Sequence, residues 1–94
     1  MRYYPVFLDL AGEPAVVLGG GRFAAEKAAS LHEAGARVTV ISHRFGAAIE
    51  SLIAEGAVEG VRRDYLPGDL FGARLVVDAS EDEAINGQIG RAHV

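Results

Sequence analysis

Ala15-Val16-Val17-Leu18-Gly19-Gly20-Gly21-Arg22-Phe23-Ala24 is the stretch that decides the fold. A continuous apolar tetrad fits a central parallel strand covered on both faces, because a half-exposed strand would alternate apolar and polar residues. Three glycines end it and a helical pattern follows, with Ala24, Ala28 and Leu31 on one stripe and Gly35 where a left-handed terminator belongs. Arg37 to Ile41 reads as a second strand. The glycines match G-x-G-x-x-G/A, the turn that seats a dinucleotide's pyrophosphate on a helix N-terminus. In that reading Gly19 permits the tight turn, Gly21 lets the phosphates approach the backbone, and Ala24 lets the helix pack closely on the strand. Backbone N–H groups and the helix dipole favour an anion there without a basic side chain. The pattern alone is weak, since glycine is frequent here and a flexible turn would look the same. Its position between a buried strand and an amphipathic helix, with a second strand at βαβ spacing, carries the argument.

Outward from this unit the same alternation continues. Phe45, Ala48, Ile49, Leu52 and Ile53 repeat at the spacing of an amphipathic helix that Gly56 stops, and Val58 to Arg62 forms a third strand. Leu66-Pro67-Gly68-Asp69 signals a turn, Leu75-Val76-Val77 repeats the buried-strand signature, and Ser80-Glu81-Asp82-Glu83 has capping-box spacing before a helix carrying Ile85, Ile89 and Ala92. The first ten residues read as an extended edge segment. This order predicts an α/β fold: a Rossmann-like doubly wound parallel sheet, incomplete at its C-terminal side, formed by residues 1–94 as one domain.

Composition narrows the function classes. The 94 residues carry a net charge of −4, which gives no general attraction to nucleic acid or anionic membrane. With no cysteine there is no disulfide, thiolate nucleophile or cysteine-bound metal, and a cytoplasmic location is expected. No apolar stretch approaches the roughly 20 residues that cross a bilayer. His32, His43 and His93 are too scattered to form a metal site without an accidental convergence. The Glu81-Asp82-Glu83 run fits the positive end of a helix better than acid/base chemistry. Arg62 and Arg63 read as surface arginines before they read as an anion site.

The fingerprint also expects an acid at the end of the second strand, to hold the ribose 2′-hydroxyl, but this sequence has Ser42-His43-Arg44. Arg44 facing a 2′-phosphate would favour NADP; an exposed arginine opening a helix has no such meaning. On the residues alone both readings stand.

Tyr4-Pro5-Val6-Phe7-Leu8-Asp9-Leu10, Val17 to Gly21, Ala25-Glu26-Lys27-Ala28 and Ala34 to Val40 together resemble the amino-terminal domain of the precorrin-2 dehydrogenase/sirohydrochlorin ferrochelatase family, over nearly the whole chain. Asp78-Ala79-Ser80-Glu81-Asp82-Glu83-Ala84-Ile85-Asn86 is similar to the family's segment at the end of the fourth strand. The resemblance implies NAD-dependent oxidation of precorrin-2 to sirohydrochlorin in a homodimeric enzyme, with iron insertion in bifunctional members. To the fingerprint residues Gly19, Gly20, Gly21 and Ala24 it adds implied cofactor contacts at Arg22, Phe23, His43, Arg44, Ala79 and Ser80, and it implies NAD rather than NADP. Asp78 departs from the small apolar residue usual in the family. The family's aspartate for dehydrogenation and chelation lies in a strand after the last helix, so no catalytic residue carries over, and this stretch alone is expected to bind NAD without turning over precorrin-2. The alternative is a non-catalytic NAD(P)-sensing module on the same half fold.

Overall fold

A computed structural model describes residues 9–80. Four parallel strands, β1 (Pro14–Leu18), β2 (Arg37–Ile41), β3 (Val58–Val61) and β4 (Leu75–Asp78), form one sheet in the order β3-β2-β1-β4. Helix α1 (Arg22–Glu33) links β1 to β2, and α2 (Ala47–Ala54) links β2 to β3. After β3 the chain returns across the sheet, passes through a 3-10 turn at Pro67–Leu70, and enters β4 on the far side of β1. The sheet thus grows one way from β1 and then the other, which is the α/β, Rossmann-like arrangement predicted from the strand order. The opening segment over residues 1–8 and the last helix with its capping box fall outside the described residues.

Because side chains alternate along a strand, the sheet has two apolar faces. Ala15, Val17, Val38, Val40, Val58 and Val77 face one side, where Ala24, Ala25, Ala28 and Leu31 of α1 and Ile49 of α2 close over them. The alanines bring α1 close to the sheet, and Ala24 and Ala28 are wholly buried. Val16, Leu18 and Ile41 face the other side, with Val61, Leu70, Ala73 and Val76 against them. No polar or charged side chain is buried among the described residues, so apolar packing and the backbone ladder hold the layers together.

Element ends follow local chemistry. Gly35 (φ +92°) and Gly56 (φ +79°) adopt the left-handed conformation that terminates α1 and α2. One expectation shifts: α2 begins at Ala47, capped by Gly46, so Phe45 lies before the helix. Ala48 points to solvent instead of joining the inward stripe. Phe45 packs on the core from the loop, beneath the Arg62 guanidinium 5.1 Å from its ring centre. Gly60 makes room for this, because a Cβ there would come within 3.0 Å of the Phe45 ring and 2.5 Å of Ile53.

The loop leaving β3 is tied by a charge clamp. Both terminal nitrogens of Arg63 donate to the Asp69 carboxylate at 2.8 Å, and the Leu66 N–H donates to the same carboxylate at 2.6 Å. The guanidinium first, and the backbone donor second, hold the Asp69 carboxyl down at about 2. A carboxyl lowered by folding stabilises the protein fully above its unfolded value of 3.8, and that contribution is lost as pH falls through about 2.

Two measurements check this picture. Ile49 is wholly buried, so Ile49→Ala is expected to cost about 2–5 kcal/mol in urea unfolding, the range for a core truncation that leaves a cavity. For the clamp, the stability difference between the wild type and Asp69→Asn is expected to be level from about pH 5 upward and to shrink below about pH 4. A difference that widened on acidification would contradict the assignment.

Candidate functional site

The ends of β1, β2 and β4 meet at Gly19. Its N–H donates to the Ile41 carbonyl at 2.9 Å, while the Ala79 N–H donates to the Leu18 carbonyl at 2.8 Å, so each neighbouring ladder runs one step past the strand. Gly19 then turns away at φ +126°, a conformation that side chains rarely permit. This is the switch point of the sheet, where the strand order grows from β1 first to one side and then to the other.

Sequence reasoning gave Gly20 no separate task, yet it carries a severe steric requirement. A Cβ on it would run into the backbone carbonyl of Arg44. Its own carbonyl accepts the Gly46 N–H at 2.8 Å, which joins the glycine turn to the β2–α2 connection. Gly21 is the N-cap of α1, in extended conformation (φ −88°, ψ −167°), and its carbonyl accepts the Ala25 N–H at 3.0 Å. No side chain caps this helix and its first turn contains no acidic residue. The N–H groups of Phe23 and Ala24, at the second and third helical positions, have no acceptor within the helix. The macrodipole adds partial positive charge at the same end. A pyrophosphate fits this donor set.

Beside the turn lies a cleft of about 380 Å³, and Gly19, His43, Arg44 and Ser80 of the sequence-derived set line it. Gly20, Gly21, Arg22, Phe23 and Ala24 form the adjoining turn and helix start instead. Ala24 is turned into the core, Phe23 packs half-buried against it with Lys27 5.2 Å from its ring centre, and Ala79 is wholly buried and does not line the cleft. Ser80 is fixed by Asp78, whose Oδ1 accepts its hydroxyl at 2.6 Å and its N–H at 3.1 Å. Asp78 therefore orders the end of β4.

The cleft also includes Arg63, Asp64 and Tyr65 from the loop after β3. Sequence reasoning did not select Asp64 or Tyr65. The available signal was the parallel register, in which Ile41 pairs with Val61, so residues just past β3 come beside those just past β2. Asp64 Oδ1 lies 2.7 Å from His43 Nε2. Arg62 and Arg63 are each held by an acid, Arg62 by Glu50 at 2.9 Å and Arg63 by Asp69. Among the described residues, no group of three or more histidine or carboxylate side chains could hold a metal ion. No helix there is long and apolar enough to cross a membrane.

Comparison with known proteins agrees with this geometry. Residues 6–93 match the family described as "Putative NAD(P)-binding". Siroheme synthase of Pseudomonas aeruginosa (strain PAO1) is 38% identical over 92 residues, covering 98% of this chain and 20% of its own length. Siroheme synthase of Actinobacillus pleuropneumoniae serotype 3 is 36% identical over 86 residues, 92% of this chain and 18% of its own. The solved structure of SirC, precorrin-2 dehydrogenase, superposes with a TM-score of 0.79 at 32% identity, over 89% of this chain and 42% of that one. The chain thus spans about a fifth of the curated relatives it matches. The resemblance read from its opening and glycine segments is the relationship these matches report. By the match over residues 6–93, the chain belongs to the NAD(P)-binding family.

Proposed function

We propose that residues 1–94 are the NAD-binding portion of an enzyme that oxidises precorrin-2 to sirohydrochlorin in sirohaem biosynthesis. The observation that carries this reading is the glycine turn at the switch point of the sheet, opening a helix whose N-cap is a glycine beside a cleft, in a chain whose relatives are named siroheme synthase and precorrin-2 dehydrogenase. NAD(P) binding follows from the family; NAD as the preferred form, precorrin-2 as the substrate, homodimer assembly and a cytoplasmic location belong to the proposal.

When bound, the nicotinamide supplies the hydride acceptor that the oxidation requires. The chain's own residues do the binding. Phe23 and Ala24 N–H groups, with the helix dipole behind them, hold the pyrophosphate. Gly19, Gly20 and Gly21 keep the turn thin enough for that approach, and Gly20 also keeps the β2–α2 connection against it. His43 and Arg44 at the end of β2 lie towards the adenosine half. The buried Ala79 and the Asp78-anchored Ser80, at the end of β4, border the other side of the turn.

Calorimetric titration of NAD tests the cradle directly. Gly21→Asp, which sets a side chain and a negative charge where the pyrophosphate approaches, is expected to weaken NAD by at least about tenfold, or 1.4 kcal/mol. Equal affinities would sink the assignment. Gly20→Ala is expected to weaken NAD and to cost about 1–3 kcal/mol of stability, because its methyl group and the Arg44 carbonyl cannot share one space.

A further inference from the structure

The ribose of a dinucleotide needs a hydrogen-bond acceptor beside its hydroxyls, and β2 ends without a carboxylate to provide one. The adjoining strand brings one to that place. The β2–β3 ladder continues one step beyond β2, as the Ser42 N–H donates to the carbonyl of Val61, the last residue of β3, at 3.1 Å. Past this bond the β3 chain sets Asp64 Oδ1 2.7 Å from His43 Nε2, with both residues on the wall of the cleft that Gly19 and Ser80 also line.

We infer that Asp64, held in place by His43, accepts the adenosine ribose 2′-hydroxyl and makes the site select NAD over NADP. The inference rests on reading the glycine turn as the pyrophosphate cradle. The Asp64 side chain is 79% exposed, so after bonding His43 its carboxylate keeps acceptor positions for a ligand. A 2′-phosphate at the same spot would meet like charge, the repulsive element that discrimination between two similar ligands needs. Arg63 does not offset that repulsion, because both its terminal nitrogens are engaged by Asp69 and one also bonds the Asp64 carbonyl at 2.9 Å. Arg44 is the competing cation on the cleft wall, and the balance between Asp64 and Arg44 sets the preference.

The test titrates NAD, NADP and 2′-deoxy-NAD into the 94-residue chain and its Asp64→Asn variant, with thermal melts confirming that the exposed substitution leaves the fold intact. The wild type is expected to bind NAD about tenfold or more tighter than NADP, and Asp64→Asn to narrow the ratio below about threefold, chiefly by tightening NADP. Removing the 2′-hydroxyl is expected to weaken binding about fivefold in the wild type and less than about twofold in the variant, as for one shared hydrogen bond. An unchanged NAD-to-NADP ratio in a variant that still binds both nucleotides would overturn the inference while leaving the cradle standing. A wild-type preference for NADP would overturn it too and give the site to Arg44. If the wild type bound neither nucleotide, the cradle reading itself would fall, and this inference with it.

Discussion

Gly20 and the Arg44 carbonyl approach so closely that no side chain fits between them, and the Gly46 N–H bonded to the Gly20 carbonyl locks that approach. Everything at the top of the sheet depends on this contact. It fixes the glycine turn against the β2–α2 connection, and so sets where α1 begins relative to the end of β2. The cleft follows from it, since His43 and Arg44 are carried on the same connection that Gly20 admits. A chain with a larger residue at position 20 would have to part these segments before it could bind anything between them.

The contact is held in place by packing below it. Small residues along one face of α1 let the helix lie almost on the strands, and Val17 and Val40 at the centre of the sheet are wholly buried between the layers. With no buried polar side chain among the described residues to specify register, the parallel ladders and the apolar alternation do so: a slip of one residue would exchange the two faces. That register is also what aligns the strand ends. Leu18 stands level with Ile41 and with Asp78, so the glycine turn, the His43–Arg44 corner and the Asp78–Ser80 turn arrive at one height.

Charge is arranged around the cleft rather than within the core. The Arg63–Asp69 clamp orders the loop after β3 and takes up one cation that would otherwise face an anionic ligand. The Asp78 carboxylate is turned onto Ser80 and organises the backbone at the end of β4. Each acid thereby has a local task that its position in the sequence did not reveal.

The fold was legible because its signals are local. The apolar tetrad before Gly19, the alanine stripe of α1 and the terminating glycines at 35 and 56 depend on backbone preference and on the period of burial, and both are written in neighbouring residues. The glycine turn was legible for the same reason. The start of α2 was misplaced because Phe45 has the right spacing for the helix, while the room made by Gly60, fifteen positions away in the chain, lets its ring reach the core from a loop. The task of Gly20 and the meeting of His43 with Asp64 were likewise beyond local reading, since each joins segments separated by some twenty residues. Sequence by itself determined the elements among the described residues, their order and the glycine turn, through propensity and periodicity. Only the tertiary structure decided which backbone Gly20 must admit and which carboxylate stands at the end of β2, because those are contacts between strand ends that parallel pairing brings together.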